Sequence, residues 1–171
     1  MRRFTMLAIC LILLACLTAT TAWATSPHYK SGPSCVDNGL TLSCTGAIAG
    51  LGNFDVLIRL NAAAIVNTVC RAPGSANESP GQNPALPVDV SGGLLIDHTN
   101  IKNGNLAFTV TTVAPTTPTP AEAGCPNNHW TVRITNVTFS NGQLRVFQDL
   151  NGDGSFDPSE LVIGPTAAPT P

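Results

Sequence analysis

Asp149-Leu150-Asn151-Gly152-Asp153-Gly154-Ser155-Phe156-Asp157-Pro158-Ser159-Glu160 places oxygen-bearing residues at alternate positions and closes on a glutamate. A hard divalent cation such as calcium takes about seven oxygen ligands. This spacing can supply them: the side chains of Asp149, Asn151 and Asp153, the carbonyl of Ser155, Asp157 directly or through water, and both oxygens of Glu160. Gly154 stands where the loop must turn sharply, a backbone geometry that favours a residue without Cβ. Phe156 occupies the position that would pin such a loop to an apolar surface.

Every position fits the pattern D-x-[DN]-x-[DN]-G-x5-E. The twelve residues resemble the calcium loops of EF-hands, dockerins and bacterial surface repeats, and that resemblance implies one bound Ca2+. The flanks depart from an EF-hand. Gln143 to Gln148 reads as a strand instead of an entering helix, and Leu161-Val162-Ile163 runs into Gly164-Pro165, which leaves no room for an exiting one. A structural ion in a strand-to-loop setting is therefore expected, not a paired sensor. The competing reading is an acidic turn, because turns are built of Asn, Gly and Asp.

Chemistry of other kinds is poorly supplied. The chain has no G-x-S-x-G, no H-E-x-x-H and no phosphate-binding G-x-x-x-x-G-K-[ST], and Gly50-Leu51-Gly52 lacks the third glycine of a dinucleotide loop. His98, after Asp97, and His129, before Trp130, read as surface histidines at strand edges. A serine triad through His98 and Asp97 has no nucleophile to complete it. A carboxylate pair among Asp37, Asp55, Asp89 and Asp97 would be a spatial arrangement invisible in sequence. No enzyme is expected.

The N-terminus has the three parts of an export signal: Arg2 and Arg3, an apolar run from Phe4 to Leu17, and the small-x-small site Ala22-Trp23-Ala24. Cleavage would remove residues 1–24 and leave no membrane span; the apolar run is short of the ~20 residues a bilayer requires. A lipoprotein acylated at Cys16, after Leu13-Leu14-Ala15, is the minority alternative. The signal would also remove Cys10 and Cys16. Cys35, Cys44, Cys70 and Cys125 then remain, an even set that reads as two disulfides in a secreted or cell-surface chain. Three pairings exist; the favoured one joins Cys35 to Cys44 locally and Cys70 to Cys125 across the domain. Zinc is disfavoured, since no C-x-x-C or paired histidine spacing occurs.

Charge narrows the partners. The whole chain carries −2 at pH 7; without Arg2 and Arg3, six cations face ten acids, leaving −4. Four of those acids lie in the 149–160 loop, so the negative charge is local. No basic cluster exists to hold nucleic acid or an anionic membrane. Calcium and an unknown protein or glycan partner remain.

The elements that must position the loop have the period of strands. Phe54, Val56, Ile58 and Leu60 alternate with Asp55, Leu57, Arg59 and Asn61, and Leu106, Phe108 and Val110 alternate with polar or small residues. Trp130, Val132 and Ile134 continue the pattern until apolar parity switches to Val137 and Phe139, which predicts a bulge near Asn136. Asn141-Gly142 predicts a hairpin turn before Leu144-Arg145-Val146-Phe147. Shorter candidates are Leu40 to Cys44, Ile65 to Cys70, Val88 to Val90 and Leu94 to Asp97. No helical stripe spans three turns.

Short strands spaced by Gly and Pro predict an all-β antiparallel sandwich, with immunoglobulin-like topology compatible by count and a small barrel as the alternative. Residues 25–34 read as a flexible leader, 35–163 as the domain, and 164–171 as a disordered Pro/Thr tail; Pro73 to Pro87 and Pro115 to Pro120 read as loops. Cys35 to Phe147 is similar to a loose group of small exported bacterial proteins. The likeness rests on Gly50-Leu51-Gly52-Asn53, Pro80-Gly81-Gln82-Asn83-Pro84, Lys102-Asn103-Gly104-Asn105 and Cys125, and it implies an exported β domain without implying an activity.

The leading functional expectation is a structural or interaction domain ordered by one calcium ion. The alternative is a small carbohydrate- or ligand-binding module with a groove near Trp130. Intact-mass analysis of exported material is expected to place the mature N-terminus at Thr25, whereas a lipidated Cys16 would contradict it.

Overall fold

The computed structural model describes residues 26–167. The expected signal 1–24, its cleavage point at Thr25 and residues 168–171 lie outside them. Eight strands form the fold: β1 (His28–Asp37), β2 (Leu42–Ala49), β3 (Val56–Arg71), β4 (Glu78–Ser79), β5 (Ala85–Ile96), β6 (Leu106–Thr111), β7 (Thr131–Gln148) and β8 (Leu161–Ala167). Among the described residues no helix is long and apolar enough to cross a membrane.

Two antiparallel sheets face each other as a sandwich that is not closed into a barrel. One has the order β1-β2-β6; in the other β3 is central, with β7 and then β8 on one side and both β5 and β4 on its opposite edge. That order corresponds to strands A-B-E facing C′-C-F-G, the connectivity of an immunoglobulin-like sandwich. The antibody-type inter-sheet disulfide is absent from it. Cys35 and Cys44 are instead bonded as directly opposed partners of β1 and β2.

The core follows from alternation. On β3, Val56, Ile58, Leu60, Ala62, Ala64 and Val66 are buried, and they meet Leu42, Ile48, Phe108 and Val110 of the other sheet. Each buried Val, Leu, Ile or Phe contributes roughly 1.5–3 kcal/mol by leaving water. At one corner the sheets nearly touch. A Cβ on Gly92 would lie 2.0 Å from the Thr111 carbonyl, and the Val113 amide donates to the Ser91 carbonyl at 2.9 Å.

β7 carries two irregularities. Between Ile134↔Thr68 and Asn136↔Asn67 one extra residue, Thr135, enters the strand, beside the position expected from the parity switch. The second corrects an expectation. Asn141-Gly142 does not reverse the chain, because Ser140 and Gln143 both pair with β3, opposite Ala63 and Asn61. The dipeptide forms a bulge, with Asn141 at φ +51°.

The ends also differ from expectation. The supposed leader is strand from His28 onward, held by pairing to β2. Gly164 to Ala167 of the supposed tail belong to β8, with Thr166 opposite Leu144 and Ala167 opposite Gln143. Val88 to Val90 and Leu94 to Asp97 are not two strands; β5 runs unbroken from Ala85 to Ile96.

Cys70, fully buried at the end of β3, is bonded to Cys125, at a sequence separation of 55 against 9 for the first bridge. The chain-entropy relation assigns roughly 4 kcal/mol to the longer closure and roughly 2.5 kcal/mol to the shorter. Denaturant unfolding of the paired alanine variants is expected to show the larger loss for Cys70/Cys125; the reverse order would contradict this assignment.

Candidate metal centre

The acidic loop is the connection between β7 and β8, neighbouring antiparallel strands. Its first residue is fixed by the sheet: Gln148 pairs with Val56 on β3, and the Asp149 amide donates to the Asp55 carbonyl at 3.0 Å. Its last residue closes a 3-10 turn, Pro158–Glu160, immediately before β8. Pro158 suits this place, since a first-turn proline gives up no needed N–H.

Asp149 and Glu160 turn inward, 6 % and 4 % exposed. Asp149 Oδ1 accepts from the amides of Gly152 (2.8 Å) and Asp153 (3.1 Å), and Oδ2 from Gly154 (2.9 Å). Glu160 Oε1 accepts from Leu150 (2.9 Å) and Asn151 (3.3 Å), and Oε2 from Asp157 (3.0 Å). Gly152 and Gly154 have φ of +71° and +78°. The sequence reading named only the second as a turn glycine.

The other expected ligands lie on the exposed rim. Asn151 Oδ1 accepts from the Asp153 amide (3.0 Å), while its Nδ2 donates to Asp153 Oδ2 (3.1 Å). The Ser155 hydroxyl and amide both donate to Asp153 Oδ1, and these bonds hold the Asp153 carboxyl below its usual range. Asp157 contributes its amide to Glu160 and is itself exposed. Thus the chain brings Asp149 and Glu160 onto one turn and rings it with Asn151, Asp153 and Ser155.

Two buried carboxylates in one loop are costly unless their charge is compensated. Here six backbone N–H dipoles do part of that, and no cationic side chain lies within 4 Å of either group: the ion pairs among the described residues are His98 with Asp55 and Asp97, and Arg133 with Glu78. The donor set, all oxygen and strongly acidic, fits a hard cation of calcium type.

A second cluster adjoins the loop through Asp55. Asp55, Asp97 and His98 offer ligand atoms all within 4.8 Å of one another, a closeness the loop carboxylates do not reach as a group of three. His98 donates its amide to Asp55 Oδ1 at 2.8 Å, and its Nδ1 lies 2.9 Å from the same atom and 3.7 Å from Asp97 Oδ1. Asp97 in turn caps the short 3-10 turn by accepting from the Thr99 amide and hydroxyl. Those bonds depress both carboxyls: Asp55 chiefly through the His98 amide, Asp97 chiefly through the Thr99 hydroxyl. Neither is poised as a proton donor near neutrality, which general acid catalysis would need. The cluster clasps the β5–β6 connection to the start of β3.

His98, which from sequence reads as a surface histidine at a strand edge beside Asp97, also pairs with Asp55, 43 residues earlier, a contact the sequence does not announce. Alternation along β3 was the one available signal, since it places Asp55 just before the strand. Trp130, near which the alternative ligand-binding reading places a groove, stands half-buried immediately before β7.

Fold and site together define a disulfide-tied β-sandwich whose last two strands are joined by an acidic twelve-residue loop. Compared with family models, with curated proteins and with solved structures, the chain matches none.

The Asp55 hydrogen bond, helped by the charges of Asp97 and Asp55, raises the His98 pKa above its ordinary value. The stabilisation is therefore fully present below about pH 6.5, the unfolded value, and fades as pH rises through the higher folded one. An NMR titration of the His98 ring is expected to give a pKa above that of the unfolded chain, and Asp55→Asn to bring it down. An unchanged pKa in that variant would show that the pair does not couple.

Proposed function

We propose that the protein is an exported, non-enzymatic structural or interaction domain whose C-terminal segment is ordered by one calcium ion. The observation that carries this reading is the burial of Asp149 and Glu160, the first and last residues of the loop, with no cationic side chain beside them. A divalent ion would supply the missing positive charge. Asn151, Asp153, Asp157 and the Ser155 carbonyl, exposed positions of the same loop, would have to turn toward the ion to complete an oxygen shell, exchanging hydrogen bonds within the loop for bonds to it. The two disulfides support an oxidising compartment, and the N-terminal signal pattern supports export.

The role assigned to calcium is mechanical. Asp149, Asp153, Asp157 and Glu160 repel one another without a cation, and β8 follows directly on Glu160. Neutralising the loop therefore tightens the pairing of β8 with β7.

Calorimetry is expected to show one site. With a dissociation constant of ~10⁻⁴ M, as in the tighter extracellular modules, ~1 mM calcium adds about 1.4 kcal/mol to stability, read as a rise in Tm that a chelator reverses. Magnesium acts weakly, since it keeps its waters. Glu160→Gln removes most of the effect, whereas Glu122→Gln, outside the loop, leaves it intact. Absence of uptake at millimolar calcium, or equal uptake by the Glu160 variant, would reduce the segment to an acidic turn.

A further inference from the structure

The outward face of the five-stranded sheet is built in rows across β5, β3 and β7. Gly93, Arg59 and Arg145 form one row, Ser91, Asn61 and Gln143 the next, and Asp89, Ala63 and Ser140 the one beyond. A groove of about 550 Å³ runs over the second and third rows. It continues through Asn61 and Ser91 into a recess of about 350 Å³ over Gly93. Arg59 and Arg145 then lead into a third recess, of about 360 Å³, walled by Phe147 and Phe156.

Arg59 and Arg145 are direct cross-strand partners. Like charges so placed destabilise a sheet, and among the described residues neither has a carboxylate within 4 Å. Arg59 lies over the Phe147 ring, 5.2 Å from its centroid, and Arg145 reaches only Gln143 Oε1, at 3.4 Å. Two guanidinium forks thus stand together with most of their donors unused, a geometry suited to a carboxylate. The groove beyond is neutral and both donates and accepts, through Asn61, Gln143 and Ser91, until Asp89 lies ~13 Å farther along the strands.

We propose that this groove binds a short oligosaccharide carrying a carboxylate at one end. The carboxylate sits between Arg59 and Arg145, and sugar hydroxyls meet the amide row and Asp89. Asp89 argues against a uniform polyanion, whose charge would continue onto it. A peptide added by strand pairing is also disfavoured, because β3 is hydrogen-bonded along both edges beneath the groove. The site goes beyond the calcium reading and does not require it, although Phe156 reaches the groove from the loop.

The test is an isothermal titration of the whole mature protein, at fixed millimolar calcium, with a glucuronate-bearing trisaccharide and with its carboxyl-reduced, uncharged counterpart. Saturable binding of the acidic sugar is expected, with backbone NMR shifts centred on Arg59, Asn61 and Gln143. Arg59→Gln, Arg145→Gln and reduction of the carboxylate should each weaken it about tenfold or more, the scale of a lost charge-assisted hydrogen bond. Gly93→Val provides a variant that keeps both arginines. A Cβ there meets nothing nearer than Leu57 Cδ1 at 3.8 Å, so the strand should tolerate the side chain while it narrows the recess beside Arg59 and weakens binding. No saturable binding, equal affinity for the reduced sugar, undiminished affinity in these variants, or tighter binding of triglutamate would overturn the proposal.

Discussion

The double pairing of β3 is the constraint from which the rest of the structure follows. Its sixteen residues are laddered to β7 on one edge and to β5 and β4 on the other. A strand so held cannot slip by one residue without turning Val56, Ile58, Leu60 and Val66 out of the core and Arg59 and Asn61 into it. The cost of such a slip runs to many kcal/mol of lost burial and buried charge, so β3 fixes the register of its neighbours. Cys70, at its end, is bonded to Cys125 and ties the long 112–130 connection to the same strand.

β7 accommodates that rigid partner by bending its own pattern. Even-numbered residues face inward up to Ile134, odd-numbered ones at Val137 and Phe139, and even-numbered ones again from Leu144 to Gln148. Each change of parity is taken up by a bulge opposite an unbroken stretch of β3. The second bulge decides which side chains face outward. Without it Gln143 and Arg145 would point into the core, and Leu144 and Val146 toward solvent.

What could be read from the sequence divides by the distance over which the information is written. The alternation of β3 and β6 is local and could be read directly; the acidic spacing of the 149–160 loop is local too, and the structure adds that its first and last carboxylates are buried. Asn141-Gly142 was local too but ambiguous, because a hairpin turn and a bulge both use a residue at positive φ; only the partner strand decides between them. β1 was hidden by its composition. It is an edge strand with mostly exposed side chains, and apart from Tyr29 and Cys35 it buries little. Asp55 with His98, and Arg59 with Arg145, become neighbours only through sheet register, which no window of sequence contains.

The length of the acidic loop is itself informative. β7 and β8 are adjacent and antiparallel, and two residues suffice to join such strands. Twelve are used, and ordering each costs about 1–2 kcal/mol of backbone entropy. Hydrogen bonds from six amides to two carboxylates offset part of this, but at a net contribution of about 1.5–3 kcal/mol for each bond to a charged group they also keep two anions out of water. A long loop with four acids among its twelve residues and a buried carboxylate at each end is a poor connector, which is the physical motive for the proposed ion. Its geometry also reaches past itself: Phe156 lies between Ser155 and Asp157 in sequence and lines the same recess as Phe147 and Leu161. The proposed ion, by stiffening the loop, would also stiffen one wall of the outer face, so the two proposals are linked through that single aromatic side chain.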